Sequence, residues 1–166
     1  AGRSHSAQQH LPVPHSAPET AQASLVVSPR PRHPSIAGDR LEVSATAEQG
    51  GTVSMIDGPG HKVIKVIKMP ADARPMGVLI SADGKRVFVS NGRGGSISVI
   101  NTATNTIEKT IPVGKRPWGI ALSADGKKLY TANGPSNDVS VVDTETLVVL
   151  KTIPFGKVPW GVAIGK

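Results

Sequence analysis

A repeat of 42 residues constrains this sequence more than any other feature in it. Residues 74–115 laid over 116–157 without a gap agree at 20 of 42 positions. Repeats of this length build solenoids, propellers or arrays, because one unit alone cannot bury its apolar face. A partial copy precedes them at 38–73, with two extra residues before Asp57 and two more before Arg74. Both insertions fall in turns, where added length costs little. Another copy opens at Val158 with "VPWGVAIGK".

Each full copy breaks into four short apolar runs. In the later one these are 118–122, 128–132, 139–143 and 147–153. "SISVIN" and "VSVVD" alternate Val or Ile with polar residues, the period of a half-buried strand. Asp83-Gly84, Asp125-Gly126, Asn91-Gly92 and Asn133-Gly134 stand between runs and accept the positive φ of tight hairpins. No stretch shows helical spacing. Four antiparallel strands per repeat describe a blade, so the expected fold class is all-β, a β-propeller-type array of four-stranded blades. Three strands from 38–73, four from 74–115, four from 116–157 and one from 158–166 make twelve, about three blades' worth. Closed propellers typically have about four to eight. Three blades leave two apolar faces uncovered, an association liability. Residues 160–164 are expected to form a closing strand, lying unpaired or meeting another chain. One account of the size is a shortened or incomplete relative of a longer propeller. The other is a homodimer completing a six-bladed ring.

Residues 1–34 differ in character. Ser, Ala, Pro, Gln and His dominate, with apolar clusters only at 11–13 and 25–27. This composition reads as a disordered Pro/Ser/His-rich tail, with the repeats occupying 35–166. His5, His10 and His15 recur every five residues, but a flexible tail offers no support for a metal site.

Composition removes several chemistries. With no cysteine, there are no disulfides, thiolate metal sites or cysteine nucleophiles. No apolar run approaches the ~20 residues of a membrane-spanning helix. The formal net charge of +7 is spread along the repeat as doublets such as Lys85-Arg86, Lys115-Arg116 and Lys127-Lys128. Charge spread in this way reads as solvated surface, and no aromatic residues interleave with it to stack bases. Nucleic acid is therefore not expected as a partner. His61 is the only histidine inside the repeats, so neither a histidine triad nor a zinc site has a second member. Asp83 and Asp125 in "SADGK" read as turn caps rather than catalytic acids. Asp57, Asn101 and Asp143 read as starters of side-chain-capped turns. No catalytic residues, metal ligands or cofactor are expected from these patterns.

The unit "P-x-G-I-A-L-S-x-D-G-K-x-L-Y-x-A-N…V-S-V-[VI]-D-T…K-T-I-P-[VF]-G" resembles the YVTN family of β-propeller repeats. The name-giving strand stands here as "VFVSN" (87–91) and "LYTAN" (129–133). "RPMGV", "RPWGIALSADGKKLYTANGPSNDVSVVDT" and "VPWGVAI" are similar, more narrowly, to periplasmic propeller proteins associated with pyrroloquinoline-quinone-dependent alcohol catabolism. The resemblance implies a non-enzymatic binding or scaffold protein, periplasmic or secreted, linked to a quinoprotein oxidation system. It also leaves room for a propeller subunit of a quinoprotein amine dehydrogenase, or for a cell-surface structural repeat.

Binding is sought where the copies differ. The loops "AEQGG" (47–51), "GRGGS" (92–96) and "GPSND" (134–138) vary on a repeated scaffold. In a propeller they share a face with the entry to the innermost strands. That face would carry Arg74, Arg93, Lys115, Arg116 and Lys157, with Trp118 and Trp160 at the strand entries. A small anionic ligand or a protein partner is expected there. Met76, Trp118 and Trp160 recur at one position of "P-x-G", which favours a packing role between blades.

Overall fold

The computed structural model describes residues 25–29, 41–57 and 60–165. These form three four-stranded antiparallel sheets and no helix. The first blade is β1 (Leu25–Pro29), β2 (Leu41–Ala47), β3 (Thr52–Asp57) and β4 (Lys62–Lys68). The second is β5 (Pro75–Ile80), β6 (Arg86–Asn91), β7 (Ser96–Asn101) and β8 (Thr106–Pro112). The third is β9 (Pro117–Leu122), β10 (Lys128–Asn133), β11 (Asp138–Asp143) and β12 (Val148–Pro154). Each sheet runs in sequence order from its innermost to its outermost strand. The propeller architecture expected from the repeat is the one observed.

The turns form as the sequence dictates. Ser81 donates its hydroxyl to Asp83 Oδ1 at 2.6 Å, and the Lys85 amide donates to the same oxygen at 3.0 Å. Gly84 completes the hairpin at φ 69°, a conformation costly for other residues. Ser123, Asp125, Lys127 and Gly126 repeat the arrangement one blade later. Asn101 accepts from the Ala103 and Thr104 amides, Asp143 from Glu145 and Thr146, and Asp57 from Gly60.

The core lies between blades rather than within them. Val53, Met55 and Ile67 of the first blade pack on Val78, Val87, Val89 and Ile100 of the second. Phe88, Ile97, Val99 and Ile111 on the other face of the second blade meet Leu129, Val142 and Leu147 of the third. The alternation of "SISVIN" is thus an alternation between two neighbours, and β7 is buried on both faces up to Ile100. At the rim, Arg86 ties these last two blades. Its Nε and Nη2 donate to the Glu108 carboxylate at 3.1 and 2.8 Å, and its Nη1 donates to the Thr144 carbonyl at 2.8 Å.

Two expectations are corrected at the ends. Leu25–Pro29, within the stretch read as a disordered tail, is a strand paired antiparallel to β2, with Leu25 opposite Ala45 and Pro29 opposite Leu41. An apolar five-residue segment satisfies the N–H and C=O row that β2 would otherwise leave bare. The remainder of that tail, including His5, His10 and His15, lies outside the described residues. Conversely, residues 160–164 are not a strand: they pair with none of the strands among the described residues, and the inner side of β2 is held by β1. Among the described residues the strands again number twelve, but they are a different set.

Candidate functional site

Antiparallel chain direction places the β2–β3, β6–β7 and β10–β11 loops on one face, together with the crossings from each outer strand to the next inner strand. Every residue expected to bind stands on that face. The crossings turn at Arg74, Arg116 and Val158, each at φ 50° and each directly before a proline. A left-handed residue before proline is sterically restricted, and its recurrence shows that the turn is fixed by its surroundings. The Arg74 carbonyl accepts from the Gly92 amide at 2.9 Å, pinning one crossing to the loop that carries Arg93.

Three of the expected residues converge. Arg74, Arg93 and Arg116, with Met76 and Glu48, line a cavity of about 360 Å³ formed by the entries to β5 and β9 and the β2–β3 and β6–β7 loops. Three guanidiniums face one carboxylate, so the cavity is cationic. Arg74 Nη1 donates to Gln49 Oε1 at 2.6 Å, a contact that fixes the side chain without cancelling its charge. Arg116 also lies over the Trp118 ring, 5.6 Å from its centroid, a cation–π distance.

The tryptophans sit beside this cluster. Trp118 stacks on Trp160 with centroids 4.1 Å apart and planes inclined by 21°. Trp118 covers Gly134 so closely that an added Cβ would collide with the ring. Met76 covers Gly92 in the same way. The middle residue of "P-x-G" is therefore a packing residue seated on the glycine of "N-G". Among the described residues no glycine lies beneath the Trp160 ring in this way, and Trp160 is 69% exposed. Lys115 and Lys157 are exposed on the same face but do not line the cavity.

Glu48 and Gln49 were not legible as site residues. They lie in a loop already singled out as variable, but no repeat partner marks them. His61 lies in the β3–β4 turn, on the opposite face. On that face a larger cavity of about 530 Å³ opens between the second and third blades, lined by Asp83, Asp125, Lys85, Lys127 and the Arg86–Glu108 pair among others. The carboxylates of Asp83 and Asp125 are engaged in turns, and that of Glu108 is held by Arg86. The Ser81 hydroxyl, then the Lys85 amide, hold Asp83 below the ordinary carboxylate pKa; Ser123 and Lys127 do the same for Asp125. Among the described residues no group of three or more His, Asp or Glu side chains could hold a metal ion.

Residues 40–160 match the model of a family described as the cytochrome D1 heme domain. No curated protein matches the chain. Among solved structures, hydrazine synthase of Kuenenia stuttgartiensis is 25% identical with a TM-score of 0.68, over 72% of this chain and 34% of that one. The dihydro-heme d1 dehydrogenase NirN in complex with DHE is 18% identical with a TM-score of 0.66, over 81% and 28%. Virginiamycin B lyase of Staphylococcus aureus is 19% identical with a TM-score of 0.62, over 81% and 47%. The chain thus spans between about a quarter and half of the length of these proteins.

Proposed function

The chain belongs to the cytochrome D1 heme domain family, and from that premise we propose that it is a non-catalytic binding module for a flat ring bearing several carboxylates. The observation that carries this reading is the convergence of Arg74, Arg93 and Arg116 on one cavity. Guanidinium forks match carboxylates in pairs, and three of them around one space suit a ligand with more than one acid group. The volume lies at the lower end of the ~300–1,000 Å³ typical of small-molecule sites. The Trp118–Trp160 stack beside Arg116 offers a ring face against which a planar ligand can lie.

A haem-type group fits this site at its edge. The arginines suit its carboxylates and the indoles its plane, while the Met76 thioether and the Glu48 carboxylate are the side chains lining the cavity able to bind iron. Redox chemistry, when such a group is bound, belongs to the group; the chain's part is to hold and orient it. Pyrroloquinoline quinone is also a flat polycarboxylate, so the same chemistry accommodates the quinoprotein link implied by the repeat resemblance. Export to the periplasm is part of this proposal and rests on that resemblance.

Titration calorimetry of the purified chain with iron-free protoporphyrin and with pyrroloquinoline quinone tests the reading. One of the two is expected to bind with an affinity that falls as salt rises. Arg74→Gln, Arg93→Gln and Arg116→Gln are each expected to weaken it about tenfold or more, the value of a lost charge-assisted hydrogen bond. Binding of neither ligand, or binding indifferent to all three substitutions, would sink the proposal.

A further inference from the structure

The three loops on the arginine face share one construction. Ala47 opposes Thr52, Asn91 opposes Ser96 and Asn133 opposes Asp138, so residues 48–51, 92–95 and 134–137 are equivalent turns. Each ends on a left-handed residue: Gly51 at φ 61°, Gly95 at 59° and Asn137 at 58°. The Gly51 amide donates to the Glu48 carbonyl at 3.3 Å, as the Asn137 amide donates to the Gly134 carbonyl at 3.0 Å. The backbone is held constant while the side chains change, which is how a repeated scaffold carries a site.

The first position of the turn changes most. It is glycine in the second and third blades, Gly92 and Gly134, and glutamate in the first, Glu48. Gly92 and Gly134 lie under Met76 and Trp118 and leave no room for a side chain. Glu48 breaks the repeat at this position, and the break puts a carboxylate into the cavity of Arg74, Arg93 and Arg116. The next position changes with it. Gln49 stands where Arg93 stands, and its amide oxygen accepts from Arg74 Nη1 at 2.6 Å.

Glu48 is not an ordinary counter-ion. On the opposite face Glu108 is gripped by Arg86 at 2.8 Å. Among the described residues the Glu48 carboxylate has no ion pair, although three guanidiniums share its cavity. Two of the three are held by neutral partners, Arg74 by Gln49 and Arg116 over the Trp118 ring. Arginines held in this way keep their charge for a ligand, and Glu48 acts on that ligand through space. Three positive charges against one negative leave two for the ligand to match. A charge left unmatched in a cavity costs far more than in bulk water.

We infer, on the premise of the polycarboxylate-binding role proposed for this site, that Glu48 is its specificity-determining residue and selects a ring with two carboxylates against one with three. Two acid groups find guanidiniums to balance them. A third meets the charge of Glu48, so the discrimination comes from repulsion rather than contact. Like charges about 8 Å apart at an effective dielectric of about 20 disfavour binding about thirtyfold. A porphyrin with two propionates is thereby preferred to pyrroloquinoline quinone, which carries three carboxylates.

Titration calorimetry near neutral pH, with iron-free protoporphyrin and with the quinone, tests this on the unaltered chain, Glu48→Gln and Glu48→Gly. The iron-free ring gives Glu48 no metal to bind, so the measurement reads its charge. Glu48→Gly installs the residue that the other two loops carry, which keeps the turn. The unaltered chain is expected to bind protoporphyrin more tightly. Both variants are expected to shift the ratio of the two affinities toward the quinone by about tenfold or more, and added salt to shrink that shift. Glu145→Gln removes the same charge from the opposite face and is expected to leave the ratio unchanged. Tighter binding of the quinone by the unaltered chain overturns the inference. So does a ratio that the Glu48 variants leave unmoved, or that Glu145→Gln moves as far. In those cases the polycarboxylate role stands as long as the arginine substitutions weaken binding. Binding of neither ring sinks that role, and the inference with it.

Discussion

Val89 and Thr131 occupy the same place in successive blades, and the exchange of a methyl for a hydroxyl decides the state of a buried asparagine beside each. Thr131 donates to Asn133 Oδ1 at 2.8 Å, while Asn133 Nδ2 donates to Asp138 and Ser140. In the second blade Asn91 Nδ2 donates to Ser96 and Ser98, but Asn91 Oδ1 is buried without a partner. Val89→Thr is therefore expected to stabilise the protein by about 1 kcal/mol, and Thr131→Val to destabilise it by about 1–3 kcal/mol, both read from urea unfolding. The aspartate turns make a second prediction. Asp83, Asp125 and Asp143 all titrate below their ordinary value of 3.8, so the folded chain takes up these protons less readily than the unfolded one. The stabilisation they give is whole above that value and is lost as pH falls through the lower folded values. Thermal unfolding should accordingly change little between about pH 5 and 7 and shift down below about pH 4, with Asp83→Asn and Asp125→Asn flattening the fall. The turns were legible because Ser-x-Asp-Gly sits wholly within one hairpin. The orphaned oxygen was not, because it depends on which residue lies two positions before the asparagine and on its burial.

Strands and their order were legible from the alternation and from the Asp-Gly and Asn-Gly pairs, which are local signals. The ends were not, because an inner strand is defined by the sheet it joins. Residues 160–164 have the pattern of a strand but pair with none of the described strands, whereas Leu25–Pro29 lie in an unpromising composition beside an edge that accepts them. At this scale Gly119 governs how the last segment is held. Gly119→Ala would place a methyl against Gly161 and the Trp160 carbonyl, backbone that cannot move aside cheaply. The variant is expected to release residues 158–165, seen as faster amide exchange there with β6 and β7 unchanged. Equal exchange in both proteins would show that the segment is held by other means.

An array whose core lies between units has a stability profile of its own. The second blade contacts a neighbour on both faces, and its β6 and β7 contain Val87, Phe88, Val89, Ile97, Val99 and Ile100 at 0% exposure. The flanking blades each bury one face in the described chain. Nearest-neighbour terms then predict that amides of β6 and β7 exchange most slowly and those of β4 and β12 much faster. Uniform protection across the three blades would mean that they unfold as one unit. The cationic site was legible at this scale too, since chain direction alone puts the arginines on one face; which of them meet depends on side-chain reach that the repeat does not encode. The tryptophan pair carries one more consequence. The chain has two tryptophans in all, and they form a single stack that joins Arg116 of the cavity to residues 158–164, of which Trp160 is one. Its intrinsic emission therefore originates from one spot, and an observer exciting indole alone is watching that joint and nothing else in the molecule.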